Sequence, residues 1–117
     1  MGLASAALIL TLGFWHPAYA VRYDPGGMER VAGNRGMSVV SCMAAHPTLE
    51  LGTWIEVEGP AGTADARVTD TSAPVDRQRH IETQRAEFSY DCAKRLCSVA
   101  WEGAAVECPI VWRIRGR

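Results

Sequence analysis

The first twenty residues, MGLASAALILTLGFWHPAYA, contain no Asp, Glu, Lys or Arg. That absence leaves an apolar run from Leu3 to Trp15, then Pro17 and the small-x-small tripeptide Ala18-Tyr19-Ala20. This is the pattern of a secretory signal peptide over residues 1–20, although no Lys or Arg marks its start. The run is shorter than the roughly 20 apolar residues of a spanning helix, so stable membrane insertion of the mature chain is not expected. The residue directly after the cleavage pattern is Val21, not a cysteine, and this excludes the site of a lipid-anchored lipoprotein. The chain of 117 residues also lacks a charge imbalance: its formal net charge is −1 and it has no basic run. Nucleic acid is therefore not an expected partner. There is no internal repeat and no low-complexity segment. No C-x-x-C pair and no H-x-x-x-H pair is present, so no metal site and no cofactor are expected.

What remains, Val21 to Arg117, is enough for one small domain, expected to be monomeric. A core of that size is modest and often needs covalent support. Four cysteines, Cys42, Cys92, Cys97 and Cys108, all follow the predicted leader. An even count in a small exported chain reads as two disulfides with three possible pairings. Cys92 and Cys97 are five apart in a predicted helix, too distant and misdirected to bond each other. Cys42 is thus expected to pair with one of them and Cys108 with the other.

Short strands dominate the local signals. Val21–Tyr23 reads as a first strand stopped by Asp24-Pro25-Gly26-Gly27, and residues 28–36 as an irregular loop. Ser38–Met43 is an apolar run that fits a buried strand. In Trp54-Ile55-Glu56-Val57-Glu58 the apolar Ile55 and Val57 alternate with polar residues. After Gly59-Pro60-Ala61-Gly62 the alternation resumes through Ala64, Ala66 and Val68, so residues 54–70 read as a hairpin with Asp70 at its exit. Residues 71–85 are polar and aperiodic, and read as a long loop. Ser89 is placed to cap a helix from Tyr90 to about Leu96, with Lys94 and Arg95 at its C-terminal end. Ser98–Glu102 and Ala105–Ile114 read as closing strands. The pattern predicts a mainly β protein, a small closed barrel with one short helix.

The segment AAHPTLELGTWIEV, followed by a hairpin ending ARVTD and then by AEFS, resembles the rare lipoprotein A (RlpA)-like double-psi β-barrel family. That family's pattern is T-A-A-H-x-x-L-P-x-G-T-x-V-x-V, then N-D-R-G-P, then I-D-L-S opening a helix. Ala44, Ala45, His46, Leu49, Gly52, Thr53 and Val57 fall on the first motif and Asp70 on the aspartate of the second. Glu87 and Ser89 fall on the third, and Leu96 on the helix leucine. The likeness covers about residues 21–114 and implies a six-stranded, disulfide-stapled double-psi barrel over residues 21–117. It departs at Asp70-Thr71-Ser72-Ala73-Pro74, where the family's arginine and glycine are missing and the following loop is longer. The family aspartate is Glu87 here.

The resemblance also implies a function: an exported cell-wall protein acting on peptidoglycan as a lytic transglycosylase, in the periplasm or cell wall. In that chemistry one carboxyl group protonates the leaving glycosidic oxygen. It then takes the proton of the muramyl 6-hydroxyl that closes a 1,6-anhydro ring. Asp70 would be this group, with a raised pKa, and His46 would orient it. Glu87, Trp54 and Arg79 would contact substrate, with Arg77 and Arg79 facing muramyl-peptide carboxylates. The alternative is an expansin-like or barwin-like module that binds wall polysaccharide without cutting it. Plainer roles stand beside these: a loop histidine for His46, a turn carboxylate for Asp70 and a structural partner for Glu87. His80 reads as solvated. Trp112 belongs to a core, whereas Trp54, out of phase with Ile55 and Val57, is the exposed candidate for sugar stacking; Trp101 is a further one.

Overall fold

The computed structural model describes residues 14–97 and 108–116. Six strands close into a barrel in the order β1-β5-β2-β4-β3-β6. They are β1 (His16–Arg22), β2 (Met43–Ala45), β3 (Trp54–Glu58), β4 (Thr63–Asp70), β5 (Arg85–Phe88) and β6 (Cys108–Gly116). β1 runs parallel to β5 and β2 parallel to β4, while the other neighbours are antiparallel. Three helices are seen among the described residues: α1 (Gly27–Asn34), α2 (Pro74–Thr83) and α3 (Tyr90–Cys97). None is long and apolar enough to cross a membrane.

Strand alternation fills the barrel. The inward set comprises Ala18 and Ala20 of β1, Ala44 of β2, Ile55 and Val57 of β3, Ala66 of β4, Ala86 and Phe88 of β5, and Ile110 and Trp112 of β6. A six-stranded barrel has a narrow interior, and alanines from four strands make room for Phe88 and Trp112. Outside, α1 lays Met28 and Ala32 on Met43 and Ala45, the opposite face of β2, with Tyr23 packed alongside. α3 adds Cys92, Ala93 and Leu96 to the main core. Cys42 bonds Cys92 and Cys97 bonds Cys108, with Cα separations of 5.0 and 5.6 Å, so α3 is tied to the barrel at both ends. The expected separation of Cys92 from Cys97 holds, and the structure supplies the choice of partners.

The hairpin and the helix after Ser89 are found where the periodicity placed them. The Ser89 hydroxyl accepts from the Met43 amide at 3.1 Å, stitching the start of α3 to β2. Several boundaries differ from the sequence reading. Residues 28–36, read as a loop, form most of α1, because Met28 and Ala32 share one buried side. The polar 71–85 stretch contains α2: Pro74 opens it, and Gln84 closes it in the left-handed conformation. Only His80 of that helix is buried, so it carries no apolar period to read. The strand expected at Ser38–Met43 is β2, displaced to Met43–Ala45. Ser98–Glu102 and Trp101 lie outside the described residues.

β1 begins at His16, not Val21. It pairs with β6 from His16 to Ala20 and with β5 from Tyr19 to Arg22. A cut after Ala20 falls inside this strand and would strip Ala18 and Ala20 from the core. Intact-mass analysis of the exported protein is expected to show a chain that retains Trp15 and His16; a mature N terminus at Val21 would mean that the barrel closes without most of β1.

The β3–β4 turn docks on the end of α3. The Ala61 amide donates to the Leu96 carbonyl at 2.9 Å, supplying a partner that the helix's last turn lacks. A Cβ on Gly59 would stand 2.4 Å from that same carbonyl oxygen. Gly59→Ala is expected to lower the unfolding free energy by about 1–3 kcal/mol, measured from urea midpoints with the disulfides intact.

Candidate functional site

The outer face of β2 organises the site. Ala45 lies opposite Asp70 on β4 and opposite Glu87 on β5, so one small side chain separates two carboxylates on adjacent strands. Asp70 reaches this position through an irregularity in the ladder. Ala44 pairs with Val68 but Ala45 pairs with Asp70, so β4 advances two residues while β2 advances one. In an unbroken ladder Thr69 would lie beside Ala45; the extra residue re-aims the strand end, as bulges do.

The carboxylates open into a hollow of about 440 Å³ whose lining includes Tyr23, Arg35, Ser72 and Asp76. Arg35, just past α1, donates from Nη2 to Asp70 Oδ1 at 3.0 Å, and the Thr71 amide donates to the same oxygen at 2.8 Å. Asp70 is buried and held from two directions. Glu87 has its pKa raised, first by burial and then by the charges of Asp70, Asp76 and Asp24. Burial, followed by Asp70, Glu87 and Asp24, likewise raises the pKa of the Tyr23 phenol. A carboxyl group that resists ionisation and a neutral phenol therefore stand beside a carboxylate tied to a guanidinium.

His80 belongs to this neighbourhood, although the sequence reading left it in solvent. α2 turns it inward, where Nδ1 lies 2.9 Å from the Ser72 hydroxyl and 3.8 Å from Glu87 Oε1. The available signal was Pro74 followed by ten residues without a second Pro or any Gly, a helix without an apolar stripe.

His46 meets Asp70 through the main chain only: its amide donates to the Asp70 carbonyl at 3.2 Å. Its imidazole turns into the Pro47–Leu49 turn, where Nδ1 accepts from the Thr48 and Leu49 amides at 3.1 and 3.2 Å. Two N–H donors on Nδ1 place the proton of the neutral ring on Nε2. The ring stands edge-on to Trp112, 5.2 Å between centroids, and lines a second hollow of about 200 Å³ with His16 and His80. His16 stacks on Trp112 at 4.5 Å. Burial, and secondarily His16, lower the His46 pKa to about 4. The structure thus joins residues 46 and 70 by backbone and opens their side chains into different hollows. Of the proposed substrate contacts, Glu87 shares the hollow of Asp70. Trp54 stands on the outer face of β3 beside Asp65 and Arg115, and Arg79 is an exposed partner of Asp76. Trp112 is a core residue, as its alternation indicated.

No protein-family model matches the chain. No curated protein matches it. Among solved structures, the apo expansin of Clavibacter michiganensis is similar, with a TM-score of 0.62 at 20% identity over 86% of this chain and 50% of that one. The fold is expansin-like. A mutant of the same expansin in complex with cellohexaose is also similar, with a TM-score of 0.60 at 21% identity over the same shares. The chain spans about half the length of these two expansin chains. The likeness bears out the mainly β, six-stranded double-psi barrel stapled by two disulfides.

The buried, neutral His46 is expected to make the barrel acid-sensitive. Its folded pKa of about 4 lies below the ordinary 6.5, so between these values the unfolded chain holds a proton that the folded chain does not. Stability is expected to fall as pH drops from about 6.5 to 4, by about 3 kcal/mol if only this group is counted. His46→Asn keeps an acceptor for the Thr48 and Leu49 amides but cannot titrate. Urea unfolding at pH 7 and pH 4.5 is expected to show a smaller pH difference for this variant than for the wild type.

Proposed function

We propose that this protein is an exported, monomeric barrel that binds cell-wall polysaccharide without cutting it, using the hollow between Asp70 and Glu87. The observation that carries the reading is the placement of these two carboxyl groups on either side of Ala45, lining one hollow bordered by α1 and α2. Sugars present rows of hydroxyls, and the hollow offers donors and acceptors to match: the Asp70 carboxylate, the Glu87 carboxyl and the Tyr23 phenol. Arg35 and Thr71 already hold Asp70, so little ordering remains when a ligand arrives. The related expansin whose mutant was solved with cellohexaose supports the choice of ligand class by analogy of fold. Two disulfides suit an oxidising compartment outside the cytoplasm.

The raised pKa of Glu87 favours a second reading, that of an RlpA-like lytic transglycosylase. Protonated Glu87 would donate its proton to the glycosidic oxygen as the bond from C1 to that oxygen breaks. The muramyl 6-hydroxyl would then attack C1 and return its proton to the carboxylate, leaving a 1,6-anhydro end and a regenerated acid. Asp70, beside it, would steady positive charge growing on the sugar ring.

One experiment separates the two. Purified protein is incubated with peptidoglycan sacculi and with cellulose, and retention and soluble products are both measured. The binding reading expects retention without anhydromuropeptides, and roughly tenfold weaker retention for Asp70→Asn, the scale of one charge-assisted hydrogen bond. Release of anhydromuropeptides by the wild type and not by Glu87→Gln would establish the enzyme instead.

A further inference from the structure

The outer face of β4, β3 and β6 lies away from the carboxylate hollow and carries a different arrangement. Trp54 and Glu56 point outward from β3; Glu56 lies opposite Asp65 on β4 and opposite Arg113 on β6. A second register shift brings Gly116 opposite Trp54 although Ile114 is opposite Ile55, so Arg115 is the extra residue of β6. Arg113 Nε donates to Glu56 at 2.7 Å, and Arg115 joins Glu56 to Asp65. Trp15, just ahead of β1, lies against Arg113, whose guanidinium carbon is 4.6 Å from the ring centroid. Two shallow hollows meet at Asp65, one bordered by Trp54 and the other by Trp15.

We infer that this face is a second polysaccharide-contacting surface, a platform for a neutral glycan chain with Trp54 and Trp15 as its stacking surfaces. Both indoles are partly exposed, and between them lie planar guanidinium and carboxylate groups already fixed in a paired network. Ring faces accept the C–H faces of sugars, and fixed planar donors and acceptors suit equatorial hydroxyls. The charges of the face cancel: Glu56, Glu58 and Asp65 stand against Arg67, Arg113 and Arg115. A polyanion or polycation would find no net attraction there. The surface is shallow and open at both hollows, which suits a long chain lying across it better than a small molecule engulfed in a pocket.

The inference rests on the polysaccharide-binding reading, and the experiment keeps the two apart. Retention on microcrystalline cellulose and on chitin is compared for the wild type, Trp54→Ala, Trp15→Ala, Trp54→Tyr and Asp70→Asn, with thermal unfolding confirming that each is folded. Each alanine variant is expected to lose about tenfold in retention on at least one of the two neutral polymers, and Trp54→Tyr to keep most of it. Loss on cellulose alone or chitin alone identifies the glycan. Wild-type retention is expected to persist at high salt, because no net charge drives it. Unchanged retention in folded Trp54→Ala and Trp15→Ala, beside a loss in Asp70→Asn, would overturn the platform and leave the carboxylate hollow as the binding site. Wild-type retention abolished by salt would also overturn it, and a wild type that holds neither these two polymers nor peptidoglycan sacculi would overturn both readings.

Discussion

Met43, Ala44 and Ala45 form a strand of three residues, and the geometry of the site hangs on the hydrogen bonds it makes to both sides. Ala44 points into the barrel, while Met43 and Ala45 point outward under α1. Because β2 lies between β4 and β5, whatever faces outward beside Ala45 becomes a neighbour across the strand. The slip in the β2–β4 ladder turns Asp70 to that side, and β5 brings Glu87 without any irregularity. Two residues 17 apart in the chain meet because a third strand lies between theirs.

The two hollows carry a stability cost. A carboxyl group with a raised pKa and a histidine held neutral are both groups that water would ionise more readily than the protein does. The disulfides work in the opposite direction, restricting the unfolded chain and fixing α3 against β2 and β6. A small barrel filled largely by alanines has little hydrophobic reserve, which is a physical reason for covalent staples here.

Much of the barrel was legible from local rules. Ile55 and Val57 alternate with polar neighbours, Gly59-Pro60-Ala61-Gly62 turns the chain, and Ala64, Ala66 and Val68 resume the alternation, so the hairpin needed no tertiary information. Tyr90 to Leu96 was readable as a helix with cations at its end. α1 and α2 were harder, because each buries so little: Met28 and Ala32 on one, His80 alone on the other. β1 was hidden for another reason. HPAYAVR is short, apolar and small-residued, and those same properties define both a barrel strand and the end of a leader peptide.

For the site, the resemblance of AAHPTLELGTWIEV, ARVTD and AEFS to the RlpA-like pattern pointed to His46, Asp70 and Glu87. Local rules indicated that Cys92 and Cys97 take separate partners and that Trp112 lies inside while Trp54 lies outside. These are matters of spacing and period, which a linear chain expresses directly. Only the tertiary structure decided that the His46 imidazole turns away from Asp70 into its own turn, that Glu87 and not His46 shares the aspartate's hollow, and that His80 turns inward to line the His46 hollow within 3.8 Å of Glu87. Those outcomes depend on ladder register and on which strands are neighbours in a closed barrel. Both are set by pairings between distant segments, and no local pattern of residues encodes them.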